Sequence, residues 1–113
     1  MEPTNQDEWT EQIKKDISEN HVFVYAKGEK NMAMCGFSNQ VMQIFNSLDV
    51  PYAVRNIFAD PNIRPAVCAF TGWPTTPQVF IGGEFVGGCD ILTEMHQSGD
   101  LQKRLGKTET PAP

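Results

Sequence analysis

The 113-residue chain has no Cys-x-x-Cys pair, no long apolar run and no excess of basic residues. Each absence removes a class of function. Its three cysteines, Cys35, Cys68 and Cys89, are too few and too unevenly spaced for a secreted disulfide framework, and the odd count argues for a reducing compartment. His21 and His96 stand at no zinc-site spacing from them, which disfavours a closed four-ligand zinc site within one chain. A membrane-spanning helix needs roughly 20 apolar residues in a row, and no stretch approaches that. The formal net charge of -5 and pI of about 4.9 disfavour general attraction to phosphate backbones or anionic headgroups, so neither nucleic acid nor membrane is expected as a partner. The opening MEPTNQDEW has neither the flanks of a secretory signal nor the Arg-rich character of a transit peptide. An organelle destination therefore requires that a targeting segment has been removed.

What is present fits one domain with a modest core, 40% of residues being hydrophobic and 20% charged. Trp9, Ile13 and Ile17 recur every four residues behind an Asn5/Glu8 capping pattern, which predicts a helix over about 7–19. VFVYA, residues 22–26, reads as a central strand buried on both faces. KGEKNMAM reads as a polar loop, and Val41, Ile44, Phe45 and Leu48 mark the next helix, with Cys35 where it begins. A second strand is expected over 50–54, and Asp60-Pro61 reads as a cap and first position of a short helix reaching about Phe70. QVFI and EFVG around Gly82-Gly83 predict a β-hairpin. A helix carrying Ile91, Leu92 and Met95 follows, then a short one capped by Asp100. Residues 1–6 are expected to be flexible, 7–106 to form the domain and 107–113 to be a disordered tail. There is no internal repeat.

That order gives an α/β fold: a mixed four-stranded sheet flanked by helices, parallel first and closed by an antiparallel hairpin. The arrangement is thioredoxin-like, with an extra N-terminal helix. It places Cys35 past the carboxyl end of the first strand, where ligand sites of open α/β sheets form.

A free cysteine is often a small buried hydrophobe. At a helix start, however, unpaired N–H groups and the helix dipole push a thiol toward thiolate, the nucleophilic and metal-binding form. Lys27 can add positive charge, and Gly36 leaves the sulfur unshielded and the backbone free to turn. Ser38 occupies the place where a dithiol redox enzyme carries its second cysteine. A mixed disulfide on Cys35 then needs an outside thiol such as glutathione to resolve it. Ser38 can also simply bond a free N–H at the helix start.

Four separated motifs now stand in order: Lys27-Gly28, Cys35-Gly36-Phe37-Ser38, Trp73-Pro74-Thr75 with Pro77-Gln78, and Gly87-Gly88-Cys89-Asp90. With GEFVGGCDI and EMHQSGDL they resemble the CGFS-type monothiol glutaredoxins, single-domain, mitochondrial and bacterial class, over about residues 8–105. The resemblance implies that Cys35 is the catalytic and metal-ligating thiol, with Lys27 holding charge beside it and Phe37 of the motif among the cofactor-binding residues. It implies that Arg64, nine residues before Trp73, pairs with a glutathione carboxylate. Thr76, before a Pro77 expected to be cis, would bond the cysteinyl unit, while Gly88, Cys89 and Asp90 would clasp the γ-glutamyl end. Singly, Lys27 and Arg64 read as solvated charges, Trp73 as core, Gly87-Gly88 as packing and Cys89 as a structural thiol or a disulfide partner of Cys35.

The sequence departs from the family pattern at three places: Ala33 stands two residues before Cys35 where proline is usual, Pro65 where glutamine is usual, and Cys68 where a basic residue is common. These point to a looser loop and an altered grip on the thiol ligand, either glutathione or a glutathione conjugate of greater positive charge. A 2Fe–2S cluster needs four thiolates, so one Cys35 per chain implies a homodimer with two glutathiones. The expected role is carriage of that cluster to acceptor proteins, in exchange with scaffold proteins, in the mitochondrial matrix or, alternatively, the bacterial cytoplasm. The competing reading is a glutathione-dependent thiol-disulfide oxidoreductase, weak as an enzyme, that works through Cys35. A non-catalytic interaction domain ranks last.

Overall fold

A computed structural model of the protein describes residues 2–106; the tail expected over 107–113 lies outside them. Strand β1 (Val22–Ala26) runs through the centre with all five residues buried. Because successive side chains of a strand point to opposite faces, Val22, Val24 and Ala26 enter one core and Phe23 and Tyr25 the other. The first core is completed by α2 (Gly36–Ser47), α4 (Cys89–Ser98) and α5 (Asp100–Arg104), the second by α1 (Gln6–Glu19) and α3 (Ile63–Thr71). β1 pairs parallel with β4 (Ala53–Asn56) and antiparallel with β5 (Gln78–Ile81), which closes a hairpin with β6 (Glu84–Gly87), giving the order β4-β1-β5-β6. The mixed four-stranded sheet and the N-terminal helix are those expected.

The capping pattern holds α1 in a modified form. The Asn5 side chain accepts the Glu8 N–H at 2.9 Å, while the Glu8 carboxylate accepts the N–H and hydroxyl of Thr4 instead of the Asn5 N–H. Asp16, 5% exposed on the packed face of α1, breaks the apolar pattern. It accepts two hydrogen bonds from Arg55 of β4 at 2.8 and 2.9 Å, one from Tyr25 at 2.7 Å and one from Gln12 at 2.8 Å. A buried carboxylate satisfied by four donors fixes α1 against the sheet.

Four local expectations fail, each for a visible reason. The second strand is β4 at Ala53–Asn56, not 50–54. Asp49 turns the chain at φ 55°, Pro51 lacks an N–H, and Tyr52 instead buries its ring against Phe45 at 5.4 Å. The polar Arg55 is drawn into the strand by Asp16. KGEKNMAM is a small hairpin, β2 (Gly28–Glu29) and β3 (Met32–Ala33), not a loop. Asparagines support it from outside: Asn56 Oδ1 accepts the Gly28 N–H at 3.1 Å, and Asn46 donates to Asn31 Oδ1 at 2.8 Å.

After a 3-10 turn at Ile57–Ala59, α3 starts at Ile63. Asp60 instead heads the short turn before the helix, its side chain accepting the Asn62 N–H at 2.8 Å, and Pro61 lies ahead of the helix. Finally, Gly99 at φ 88° precedes α5, and Asp100 is that helix's first residue without a side-chain capping bond.

Candidate functional site

Cys35 is the residue that caps α2. Its backbone is extended, φ -150°, and its Sγ accepts the Ser38 N–H at 3.4 Å. The anticipated capping role of the Ser38 hydroxyl is thus taken by the sulfur itself. Ser38, fully buried, instead uses its Oγ to accept the Lys27 N–H at 3.0 Å, tying the end of β1 to α2. The same Oγ lies 3.4 Å from the Cys35 sulfur. Partial burial pushes the Cys35 thiol pKa up, but the Ser38 hydroxyl, the N–H groups of Ser38 and Phe37, and the Lys27 charge outweigh it and hold the pKa below the ordinary thiol value. Gly36 has no positive φ, and a Cβ there would meet nothing within 4 Å, so the backbone does not require glycine at this position.

Beside the thiol lies a cleft of about 330 Å³. It is lined by Lys27 and Phe37, by Arg64 of α3, by Trp73, Thr75, Thr76 and Pro77, and by Gly88, Cys89, Asp90 and Ile91 at the start of α4. All eight residues predicted from sequence to bind a cofactor line this cleft: Lys27, Phe37, Arg64, Thr76, Pro77, Gly88, Cys89 and Asp90. Cys35 is half-buried next to it and is not among the lining residues. The Thr76-Pro77 bond is cis, as anticipated.

The lining carries charge of both signs, Lys27 and Arg64 against Asp90. Arg64 is exposed and spends one Nη2 bond on the Pro74 carbonyl at 3.1 Å, leaving further guanidinium donors. Asp90 is exposed in the first turn of α4, whose start also presents free N–H groups. Gly88 is closely enclosed there: a Cβ would come within 3.3 Å of the Pro77 carbonyl and 3.6 Å of Trp73 Nε1. The site therefore offers cations and N–H donors for carboxylates, a carboxylate for an ammonium, and a reactive sulfur alongside.

Cys89 is buried, and its thiol pKa is pushed up by that burial and by the charges of Asp90 and Cys35, against a lowering contact from Thr93. Cys68 is half-buried on α3 and does not line the cleft. Its Sγ lies 3.7 Å from Gln78 Nε2, so the departure at this position falls behind the cleft wall. Trp73, read singly as core, is 38% exposed and lines the cleft. Thr75 and Ile91 also line the cleft; both stand inside the quoted motifs, Thr75 in Trp73-Pro74-Thr75 and Ile91 at the end of GEFVGGCDI, but neither was assigned a role there. Among the described residues no cluster of three or more His, Cys, Asp or Glu is placed to hold a metal ion, and no helix is long and apolar enough to cross a membrane.

Comparison with known proteins gives this geometry a family. The profile described as Glutaredoxin matches residues 22–86. A monothiol glutaredoxin of Synechocystis, described as uncharacterized, is 47% identical over 89 residues, covering 79% of this chain and 83% of that protein. The zebrafish mitochondrial glutaredoxin-related protein 5 is 51% identical over 98 residues, covering 86% of this chain but 61% of that protein. The crystal structure of a buckwheat glutaredoxin–glutathione complex superposes with a TM-score of 0.81 at 28% identity, covering 92% of this chain and 94% of that one. With its single thiol at the start of α2, the chain belongs to the glutaredoxin family, in the single-domain monothiol class found in mitochondria and bacteria.

Proposed function

We propose that this monothiol glutaredoxin binds glutathione in the cleft beside Cys35 and carries a glutathione-ligated 2Fe–2S cluster between proteins. The observation that carries the reading is the pairing of one thiol of lowered pKa with a cleft lined by charges of both signs, Lys27 and Arg64 against Asp90. Glutathione carries two carboxylates, one ammonium and one thiol, and that set matches the cleft's charges and its neighbouring sulfur. The related buckwheat protein was crystallised with glutathione.

One Cys35 and one glutathione supply half of the four thiolates a 2Fe–2S cluster needs. Two chains and two glutathiones complete it. Met34 and Phe37, 69% and 63% exposed on either side of Cys35, give an apolar surface on which a second copy can close. Half of the ligands are then untethered, so the cluster passes readily from a scaffold to an acceptor protein. The mitochondrial matrix is the proposed location, with the bacterial cytoplasm as alternative.

Anaerobic reconstitution with and without glutathione tests this through visible absorption and mass. A coloured dimer that requires glutathione and Cys35 is the expected product. A colourless monomer in both conditions refutes the carrier role, and a Cys89→Ser protein as devoid of cluster as Cys35→Ser refutes the ligand assignment.

The lowered Cys35 pKa also favours a second reading, reduction of glutathionylated proteins. Attack of Cys35 on the protein–glutathione disulfide releases the protein thiol and leaves glutathione on Cys35; a second glutathione then removes it as the glutathione disulfide. Rapid steady turnover with such a substrate supports this reading over the carrier.

A further inference from the structure

Gln78 is a fully buried polar residue at the start of β5, and its carboxamide belongs neither to the sheet ladder nor to the cleft surface. Its Nε2 donates to the carbonyls of Trp73 and Thr75, both at 3.0 Å. Its Oε1 accepts the Thr71 hydroxyl at 2.8 Å, and Thr71 Oγ1 in turn accepts the Trp73 N–H at 3.1 Å. The bonds close a ring: Trp73 N–H to Thr71, Thr71 to Gln78, Gln78 back to the Trp73 and Thr75 carbonyls. The segment so held has no helix or strand of its own, yet it supplies Trp73, Thr75, Thr76 and Pro77 to the cleft.

We propose that Gln78 is a positioning residue for the thiol ligand, holding the 73–76 wall in the shape that distinguishes glutathione from smaller thiols. This rests on the reading that the cleft takes glutathione. A loop between a helix end and a strand has no ladder to fix its carbonyls, so their direction is set by whatever donors meet them. Here one side chain meets two of them from beneath. With the carboxamide in place, the segment that brings Thr75 and Thr76 to the cleft is held in one register. Without it, the carbonyls of Trp73 and Thr75 must turn to find water, and the wall they belong to turns with them. Cys35 is carried by α2 and is untouched by the ring, so positioning of the ligand separates from reactivity of the thiol.

The experiment compares two exchange reactions at Cys35. In each, the thiolate attacks a symmetric disulfide, forming the mixed disulfide and releasing one thiol. Glutathione disulfide supplies the tripeptide; 2-hydroxyethyl disulfide supplies a thiol too small to reach the wall. Peptide mass mapping gives the fraction of Cys35 carrying each adduct at defined thiol-to-disulfide ratios, and so the two equilibrium constants. Gln78→Met, which fills the space without donors, is expected to lower the glutathione constant about tenfold, the size of losing two neutral hydrogen bonds. It should leave the 2-hydroxyethyl constant and the pH midpoint of Cys35 alkylation unchanged.

Thr71→Val removes only the relay hydroxyl at the helix end. A loss of about threefold, confined to glutathione, is expected of it, so the ring is tested even where Gln78→Met does not fold. A ratio of the two constants equal to wild type in the folded variants overturns the positioning role. A wild-type protein with no preference for glutathione over 2-mercaptoethanol overturns the glutathione reading itself, and the proposal with it.

Discussion

The Ser38 hydroxyl lies 3.4 Å from the Cys35 sulfur while accepting the Lys27 N–H at 3.0 Å. The position that in a dithiol protein would supply a resolving thiol thus supplies a buried, polarised hydroxyl. When Cys35 ionises, the hydroxyl hydrogen is free to point at the thiolate. Loss of this bond in Ser38→Ala should raise the Cys35 pKa and slow its alkylation near neutral pH by about three- to tenfold, as one charge-assisted hydrogen bond allows. Rates of iodoacetamide labelling against pH measure it; an unmoved midpoint would deny the hydroxyl any part in setting the thiolate.

Cys35 and Cys89 are shifted in opposite directions, and the two thiols should therefore bend the stability profile oppositely. Cys35 has a folded pKa below the ordinary thiol value. Its contribution is present above that value and is lost as pH falls through the folded pKa. Cys89 has a folded pKa above the ordinary value. Its contribution is present below that value and is lost as pH rises through the folded pKa. Urea midpoints of wild type, Cys35→Ala and Cys89→Ala across the thiol range should show the wild-type advantage over Cys35→Ala growing with pH and that over Cys89→Ala shrinking. Slopes of the same sign would contradict both assignments.

Asp16 gathers Arg55, Tyr25 and Gln12 at the seam between α1 and the sheet, with Arg55 also 5.1 Å over the Trp9 ring. Asp16→Ala leaves a half-buried guanidinium and a buried phenol unanswered. A loss of about 2–4 kcal/mol is expected from breaking such a pair. Chemical denaturation gives the number, and a loss below about 0.5 kcal/mol, the level of an exposed pair, would show that the network is incidental to stability.

Two glycines near the thiol should respond differently to alanine. Gly28 has φ 112°, and a Cβ there would collide with the Met32 carbonyl oxygen across the β2–β3 hairpin. Gly28→Ala must displace that hairpin, at a cost of about 2 kcal/mol or more, and Cys35 follows the hairpin in sequence. Gly36→Ala adds a methyl into open space at the first position of α2 and should be neutral or slightly stabilising. Melting temperatures of the two variants decide between a strained and an unstrained site.

Apolar periodicity along the chain is enough to locate the elements that carry it. Trp9 and Ile13 locate α1, VFVYA locates β1, and the glycine pair between QVFI and EFVG locates the hairpin, because burial acts on side chains whose spacing is written in the chain. It also placed Cys35 at a helix start, where the dipole and free N–H groups act whatever surrounds them. Residues from all four spread motifs line one cleft.

Tertiary structure decided what polar side chains do at a distance. Asp16 became the anchor that draws Arg55 into β4, Asn56 and Asn46 turned a polar stretch into a hairpin, and Trp73 moved from core to cleft. Gln78, quoted in a motif for its place beside Pro77, turned out to hold the wall from beneath. Hydrogen bonds between residues far apart in sequence have no period to reveal them; each partner is chosen by which donors and acceptors the folded chain brings within about 3 Å and shields from water.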